Sequence, residues 1–557
     1  MSLLVKKAKT QIKEIVLCAA QKAFACEELP DFTLETPANR EHGDFAVNAA
    51  LVWARALHAA PRAIAEKLLE SADFSDTYIE KCEIAGPGFM NFFLADSFYG
   101  DVVADVISRG DDYGTSDFGE GKRILVEFVS ANPTGPMHIG NARGGALGDC
   151  LASVLSAAGY KTEREFYIND AGNQINKFAL SLDIRYRQLY EDGVEMPEDS
   201  YHGEDIIAHA KAFAEKYGDS YIGKSEQERQ SALTAFALPK NIESLKVDLE
   251  KYRIKYDTWF KESSLHESGA TAEVIEKLKQ SGHTYTLEGA LWFRATDYGC
   301  DKDFVLVRAN GVPTYIVPDI AYHYNKLCVR GFDRAIDILG ADHHGYVPRL
   351  KAALSCMGAP ADRLDVVIMQ MVRLVRDGEV IKASKRSGKA ITLVTLLDEV
   401  PIDAARFFFN LREPNSHFDF DLDLAVSESN NNPVFYVQYA HARICSIIRN
   451  LKAEGIEADV SDTGCLSLLT APEERELILY LSALTDEIIA AAKTYDPARI
   501  THYVTELSTR FHKFYAARRV KTEDKALTNA RLLLTVAAGT AIRNVLGLLK
   551  ITAPEKM

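Results

Sequence analysis

The chain has 557 residues, too many for one hydrophobic core, so three or four domains are expected. Hydrophobic content of 47% and charged content of 26% exclude a disordered or fibrous chain. With 64 basic against 79 acidic residues the formal charge is −15, so an RNA partner would need a local basic face.

Nine cysteines are scattered without a C-x-x-C pair, which predicts buried reduced thiols rather than a zinc site or disulfide framework. MSLLVKKAKT lacks the apolar core of a signal peptide. No stretch approaches about 18 uninterrupted apolar residues, so a cytoplasmic protein without a membrane span is expected.

Over residues 1–115 helix and strand signals mix, with an amphipathic Gln11–Phe24 and a strand-like Gly88–Leu94. Gly110-Asp-Asp-Tyr-Gly-Thr-Ser reads as a linker. Arg123–Val129 is a short apolar strand, and Ala146–Ala158 has helical periodicity. Between them Pro133, Gly135 and Pro136 force a sharp turn off the strand end. Gly140, Gly144, Gly145 and Gly148 would let a backbone or ligand approach the helix start, where unpaired N–H groups suit a phosphate. Packing alone is the rival reading. His138 stands just before this point, as a candidate donor to phosphate oxygens. The glycine spacing is not that of the dinucleotide fingerprint. A Walker loop ending at Gly388-Lys389 is excluded, because Ala383 and Ala390 stand where Gly and Ser/Thr are needed.

Lys161–Ile168 alternates like a second strand and runs into the polar loop Asn169–Gln174. Strand, helix, strand in this order predicts a right-handed parallel crossover, with ligands off the carboxyl ends of the strands. From about Leu182 to Leu287 the chain is charged and Tyr-rich and reads as a helical insertion, with Glu226–Arg229 a solvated face. Strand-like sequence returns at Ala290–Arg294, Phe304–Arg308, Tyr315–Asp319, Ala335–Leu339 and Val366–Met371. Val380-Ile381 then enters a basic loop, Lys382–Lys389. Beyond Pro433 long amphipathic segments (Val434–Leu451, Glu474–Thr494, Ile500–Val520, Asn529–Leu549) predict a helical bundle.

Several groups could carry chemistry. The loop holding Lys382, Ser384, Lys385, Arg386 and Lys389 could close over phosphates, or be a solvated charge run. Asp342-His343-His344 could ligate a metal or line a nucleotide pocket. Tyr315 and Asp319 share a helical face if Pro318 permits, or Asp319 caps a helix over Ile320–Lys326. In Arg510–Arg519 basic residues alternate with aromatics, which can stack bases. At helical spacing Phe511, Phe514 and Tyr515 read instead as core.

His138-Ile139-Gly140-Asn141 resembles the "HIGH" signature of class I aminoacyl-tRNA synthetases, and Lys382-Ala383-Ser384-Lys385 resembles their "KMSK". The run from Glu127 to Pro136, the run from Asn432 to Arg443, HGDFAVNAAL, GPGFMNFFL and the closing LGLLKITAPEKM narrow the likeness to bacterial-type arginyl-tRNA synthetases. Asn141 and Ala383 depart from the two signatures.

The resemblance implies an α/β, Rossmann-like parallel-sheet catalytic domain with a helical insertion, an N-terminal α+β domain and a C-terminal all-α bundle. The expected domains are 1–115, contacting tRNA; 116–390, catalytic, with the insertion at about 182–287; 391–432, connecting; and 433–557, binding the anticodon. It also implies ATP-dependent arginine activation with Mg²⁺ and then transfer to tRNA(Arg), with tRNA needed for activation. His138, Lys382 and Lys385 would be catalytic. Pro133, Gly135, His138, Gly140, Asn141, Asp342, His344, Ser384 and Lys385 would hold ATP. Glu127, Asn132, Tyr315 and Asp319 would hold arginine, and Tyr436, Gln438, Tyr439, Arg443, Arg518 and Arg519 would meet tRNA. No protein-bound metal is expected, and with no zipper in the sequence a monomer is expected. The rival readings are another class I ligase and a non-catalytic RNA-binding paralogue.

Overall fold

The computed structural model describes residues 3–24, 29–37, 39–341, 345–381 and 391–557. At its centre lies a five-stranded sheet ordered Leu364–Met369, Arg334–Gly340, Arg123–Glu127, Lys161–Ile168, Thr258–Lys261, with every neighbouring pair parallel. The middle strand ends level with Asp337 on one side and Glu165 on the other. Acidic groups therefore collect at one end of the sheet, on the carboxyl side where such sheets bind ligands.

The helix after the first strand runs over Ile139–Ala157, seven residues earlier than its periodicity predicts. Its glycines are the reason. A Cβ at Gly148 would sit 2.2 Å from Phe128 Cγ, and one at Gly145 would sit 2.7 Å from Ile254 Cδ1. These positions let the helix lie close on its neighbours, and they hide the periodic signal by offering no side chain. Packing, not ligand approach, accounts for Gly145 and Gly148.

The insertion comprises helices Gly172–Arg187, Glu204–Tyr217 and Glu226–Lys251. It ends earlier than expected, because Thr258–Lys261 returns as the edge strand of the main sheet. Trp259 stacks on Phe166 (ring centroids 4.6 Å apart) and Phe260 on Tyr167 (6.1 Å). These aromatic strand formers lie among charged residues, which mask their signal. Tyr315–Asp319, read as strand-like, opens the helix Ile316–Tyr324. Pro318 is tolerated there because first-turn N–H groups have no helical partner. Asp319 thus lies inside the helix and is not its N-cap.

A four-stranded antiparallel sheet with flanking helices forms the N-terminal domain. The supposed linker after it is docked: Tyr113 is buried, and its hydroxyl donates to the Leu481 carbonyl at 2.8 Å. The C-terminal bundle contains Pro433–Ala453, Pro472–Ser482, Leu484–Thr494, Ala498–Ala517 and Lys525–Leu548. The segment expected as one helix, Glu474–Thr494, is broken at Ala483. Lys525–Leu548 is long and apolar enough to cross a membrane, but 67% of its most apolar stretch is buried in the bundle. Cys82, Cys150 and Cys465 are buried, whereas Cys18 and Cys328 are exposed, contrary to expectation; Cys26 lies outside the described residues.

Candidate active site

The turn leaving the central strand is strained at its start. Val129 has φ 70° and Ser130 φ 39°, a region that a β-branched residue rarely enters. Ser130 holds the bend in place: its hydroxyl donates to Glu127 Oε1 at 2.8 Å and accepts from the Tyr167 N–H at 3.1 Å.

His138 is the N-cap of the Ile139–Ala157 helix. Its Nδ1 accepts from the Gly140 N–H at 3.2 Å, so in the neutral ring the proton sits on Nε2. Asn141 Oδ1 accepts from the His138 N–H at 3.0 Å and closes a capping box. The amide that replaces the second His therefore holds the first in place. A Cβ at Gly140 would come within 3.2 Å of the His138 ring.

Lys382, Ser384 and Lys385 lie outside the described residues, as do Asp342 and His344. The chain on either side of the basic loop is described. Ile381 N–H donates to Leu374 O at 2.8 Å, at the base of the hairpin Val372–Arg376/Glu379–Val380. On the far side Thr392 pairs with His138, and Leu393 N–H donates to Met137 O at 2.8 Å.

Arg143, fully buried on the signature helix, donates to the carbonyls of Gln370, Glu413 and Ser416 at 2.8–3.2 Å. Burial lowers its pKa to about 10, which leaves it charged at neutral pH. It ties the first signature to the base of the hairpin that leads into the second. Sequence reasoning missed it, although a lone Arg in a Gly/Ala-rich helix was a usable signal.

The other half of the site is acidic and buried. Lys326 Nζ lies 2.5 Å from Glu127 Oε2 and 2.8 Å from Asp337 Oδ1, and Asp337 Oδ2 lies 2.6 Å from His323 Nε2. Glu127, His323 and Asp337 offer ligand atoms within 4.8 Å of one another, but the Lys326 ammonium already pairs with both carboxylates. Burial pushes the Asp337 carboxyl up, but Lys326 and His323 outweigh it and hold it well below the usual range.

Asp319 Oδ2 accepts from Tyr346 Oη at 2.5 Å, and Tyr346 stacks on Tyr315 with ring centroids 5.8 Å apart. Tyr315 and Asp319 are thereby brought to one place. Burial raises the Asp319 pKa, against the Tyr346 hydrogen bond, and the Glu127 charge raises it further. Glu262, buried beyond the edge strand, is raised by burial and by the Asp319 charge. The Tyr167 hydroxyl feels both carboxylates, and burial with their charges pushes its pKa up. A half-buried and a buried carboxylate among aromatic rings have the chemistry to accept a planar cation. Sequence reasoning missed Glu262, which follows a strand that it also missed. Asn132 stands exposed on the turn between the two halves.

In the bundle, Arg443 donates to the Tyr439 hydroxyl at 2.9 Å and lies over the rings of Tyr439 and Tyr515. Tyr436 donates to Thr509 Oγ1 at 3.2 Å, and its ring packs on His512. Phe511 and Phe514 are core, but Tyr515 is exposed, contrary to expectation. Gln438 is turned away from this group and donates to Asp403 and to the Thr552 carbonyl, both at 2.9 Å. Arg518 pairs with Glu473 at 3.0 Å, and Arg519 is exposed.

Three family descriptions cover most of the chain: "Arginyl tRNA synthetase N terminal domain" over 10–94, "tRNA synthetases class I (R), catalytic domain" over 102–429 and "DALR anticodon binding domain" over 437–557. The chain is 51% identical to the arginine--tRNA ligase of Acetivibrio thermocellus and 52% identical to that of Caldanaerobacter subterraneus, with 100% of both chains covered in each case. The solved arginyl-tRNA synthetase of Thermus thermophilus has the same fold at 22% identity, with a TM-score of 0.73 over 98% of this chain and 100% of that one. The chain belongs to the arginyl-tRNA synthetase family, in class I of the aminoacyl-tRNA synthetases.

Proposed function

We propose that the protein attaches L-arginine to tRNA(Arg) in two steps. The arginine carboxylate attacks the α-phosphorus of ATP, which enters as its Mg²⁺ complex, and pyrophosphate leaves. The 3′-terminal hydroxyl of the tRNA then attacks the adenylate carbonyl and expels AMP. No protein nucleophile is needed, so catalysis is positioning and charge stabilisation.

The observation that carries this reading is the placement of His138, whose Nδ1 accepts at a helix N-terminus, and of a carboxylate pocket at the carboxyl end of the same sheet. His138 Nε2–H donates to the α-phosphate, with Pro133, Gly135, Gly140 and Asn141 shaping the adenosine side. Asp342 and His344 line the adenosine pocket. Lys382, Ser384 and Lys385 close over the β- and γ-phosphates. Asp319 and Glu262 face the guanidinium with Tyr315, Glu127 lies behind them, and Asn132 holds the α-amino and carboxylate groups. Tyr436, Tyr439 and Arg443 meet the anticodon loop, with Gln438, Arg518 and Arg519 at its margins. The enzyme acts as a cytoplasmic monomer and requires tRNA for activation.

Arginine-dependent pyrophosphate exchange, measured with and without tRNA, tests the assignment. Exchange with arginine and tRNA present is expected. No arginine-dependent exchange under any condition refutes it.

A further inference from the structure

The helical insertion reaches back onto the turn that carries the first signature. That turn is weakly held from within: Pro133 and Pro136 have no N–H, and the backbone from Ala131 to Pro136 forms a single tight turn at Pro133-Thr134. Further hold comes from outside. Asn241, buried on Glu226–Lys251, donates from Nδ2 to the Pro133 carbonyl at 3.0 Å. Its Oδ1 lies 2.6 Å from His209 Nε2 on the neighbouring insertion helix. An amide oxygen only accepts, so His209 donates and fixes which way the amide faces. One turn earlier on that helix, Asp205 faces the same loop, with Oδ2 3.7 Å from where a Cβ on Gly135 would stand.

We propose that Asn241, oriented by His209, is a positioning residue for adenylate formation: it fixes the Pro133 peptide and thereby the run from Asn132 to His138. The inference rests on the roles given above to Asn132 and His138. Asn241 touches no substrate. It acts by stopping the turn from sampling geometries in which the reacting groups are misaligned, and misplacement by about 1 Å costs on the order of a hundredfold in rate.

Arginine-dependent exchange with tRNA present tests this, alongside thermal melting. Asn241→Leu and His209→Ala are each expected to lower kcat about tenfold or more, with the KM for ATP and the melting temperature unchanged. His209→Gln keeps a donor and restores most of the turnover, which a merely structural role would not produce. Because the two residues act through one bond, the double variant is no slower than Asn241→Leu alone. Wild-type kcat in both single variants overturns the proposal. Should Asn241→Leu melt early, the half-buried His209 pair decides the matter: equal turnover of His209→Ala and His209→Gln overturns it. A wild-type enzyme without arginine-dependent exchange refutes the assigned activity instead.

Discussion

The backbone of Thr392 pairs with that of His138 in an isolated antiparallel bridge. Residues more than two hundred positions apart are thus fastened at the start of the first signature. Thr392 also caps the next helix, accepting from the Thr395 N–H at 3.1 Å. The chain from Ile391 into the helix Leu393–Glu399 is therefore tied to the first signature.

His138 Nδ1 caps a helix, and in the role proposed above Nε2–H would donate to phosphate, so the two functions can be separated. Asn is an equally good N-cap but is shorter and lacks the second nitrogen. His138→Asn should leave the melting temperature unchanged and lower kcat for pyrophosphate exchange about a hundredfold, the effect of removing one transition-state donor. A variant that melts early with normal turnover would show that capping is its only role.

Asp319 and Glu262 should separate arginine binding from ATP binding. A hydrogen bond to a charged group contributes about 1.5–3 kcal/mol, so Asp319→Asn or Glu262→Gln should raise the KM for arginine about tenfold or more. The KM for ATP should not change. Parallel shifts in both constants would mean that these carboxylates support the fold rather than meet the guanidinium.

The same pair predicts a pH dependence. Burial raises both carboxyls, and each is raised further by the other's charge or by that of Glu127. In the empty pocket they therefore keep protons to a higher pH than exposed carboxyls do. In the proposed roles the guanidinium would bind the ionised forms, so arginine binding should release protons where the groups titrate. Affinity for arginine should rise with pH through that range and then level off. Calorimetry in buffers of different ionisation enthalpy would read the released proton, and buffer-independent heats would contradict the prediction.

Much of this was legible in the sequence. Apolar runs mark two of the three inner strands, Arg123–Glu127 and Arg334–Gly340, because strands buried on both faces need continuous apolar residues, and Lys161–Ile168 shows by alternation. The edge strand Thr258–Lys261 is half exposed and its neighbours are charged, so it was lost, and Glu262 with it. The start of the signature helix was missed because its first turns carry glycine where periodicity needs side chains. Asp319 read as a possible cap because Pro318 looks like a helix breaker, yet a first-turn proline removes no helical bond. Arg143, Lys326 and Asn241 act across 108 to 273 positions of sequence separation, which local patterning does not report.

Lys326 should be the most sensitive of the buried charges. It is fully buried between Glu127 and Asp337, and these carboxylates keep it protonated despite desolvation. Lys326→Met leaves two buried anions without their cation, and breaking such a pair costs about 3–5 kcal/mol. Urea denaturation should show that loss. Asp337 adds an acid limb: because its carboxyl is held low, its contribution is complete above the ordinary carboxylate range and is lost as pH falls below it.

Two glycines of the signature helix should fail in different ways. At Gly148 an added methyl meets Phe128 at 2.2 Å from the ring, deep in the core, and overpacking there costs about 1–3 kcal/mol. Gly148→Ala should therefore melt early but turn over normally when folded. At Gly140 the methyl meets, among the described residues, only the His138 ring, at 3.2 Å, and that ring can give way. Alanine also favours the helix, so Gly140→Ala should fold as well as wild type. A ring that turns to yield would carry Nε2 away from the position proposed for phosphate, so kcat should fall while the melting temperature holds. The two variants measured side by side by exchange and thermal melting would show whether this helix start is built for packing, for catalysis, or for each at a different residue.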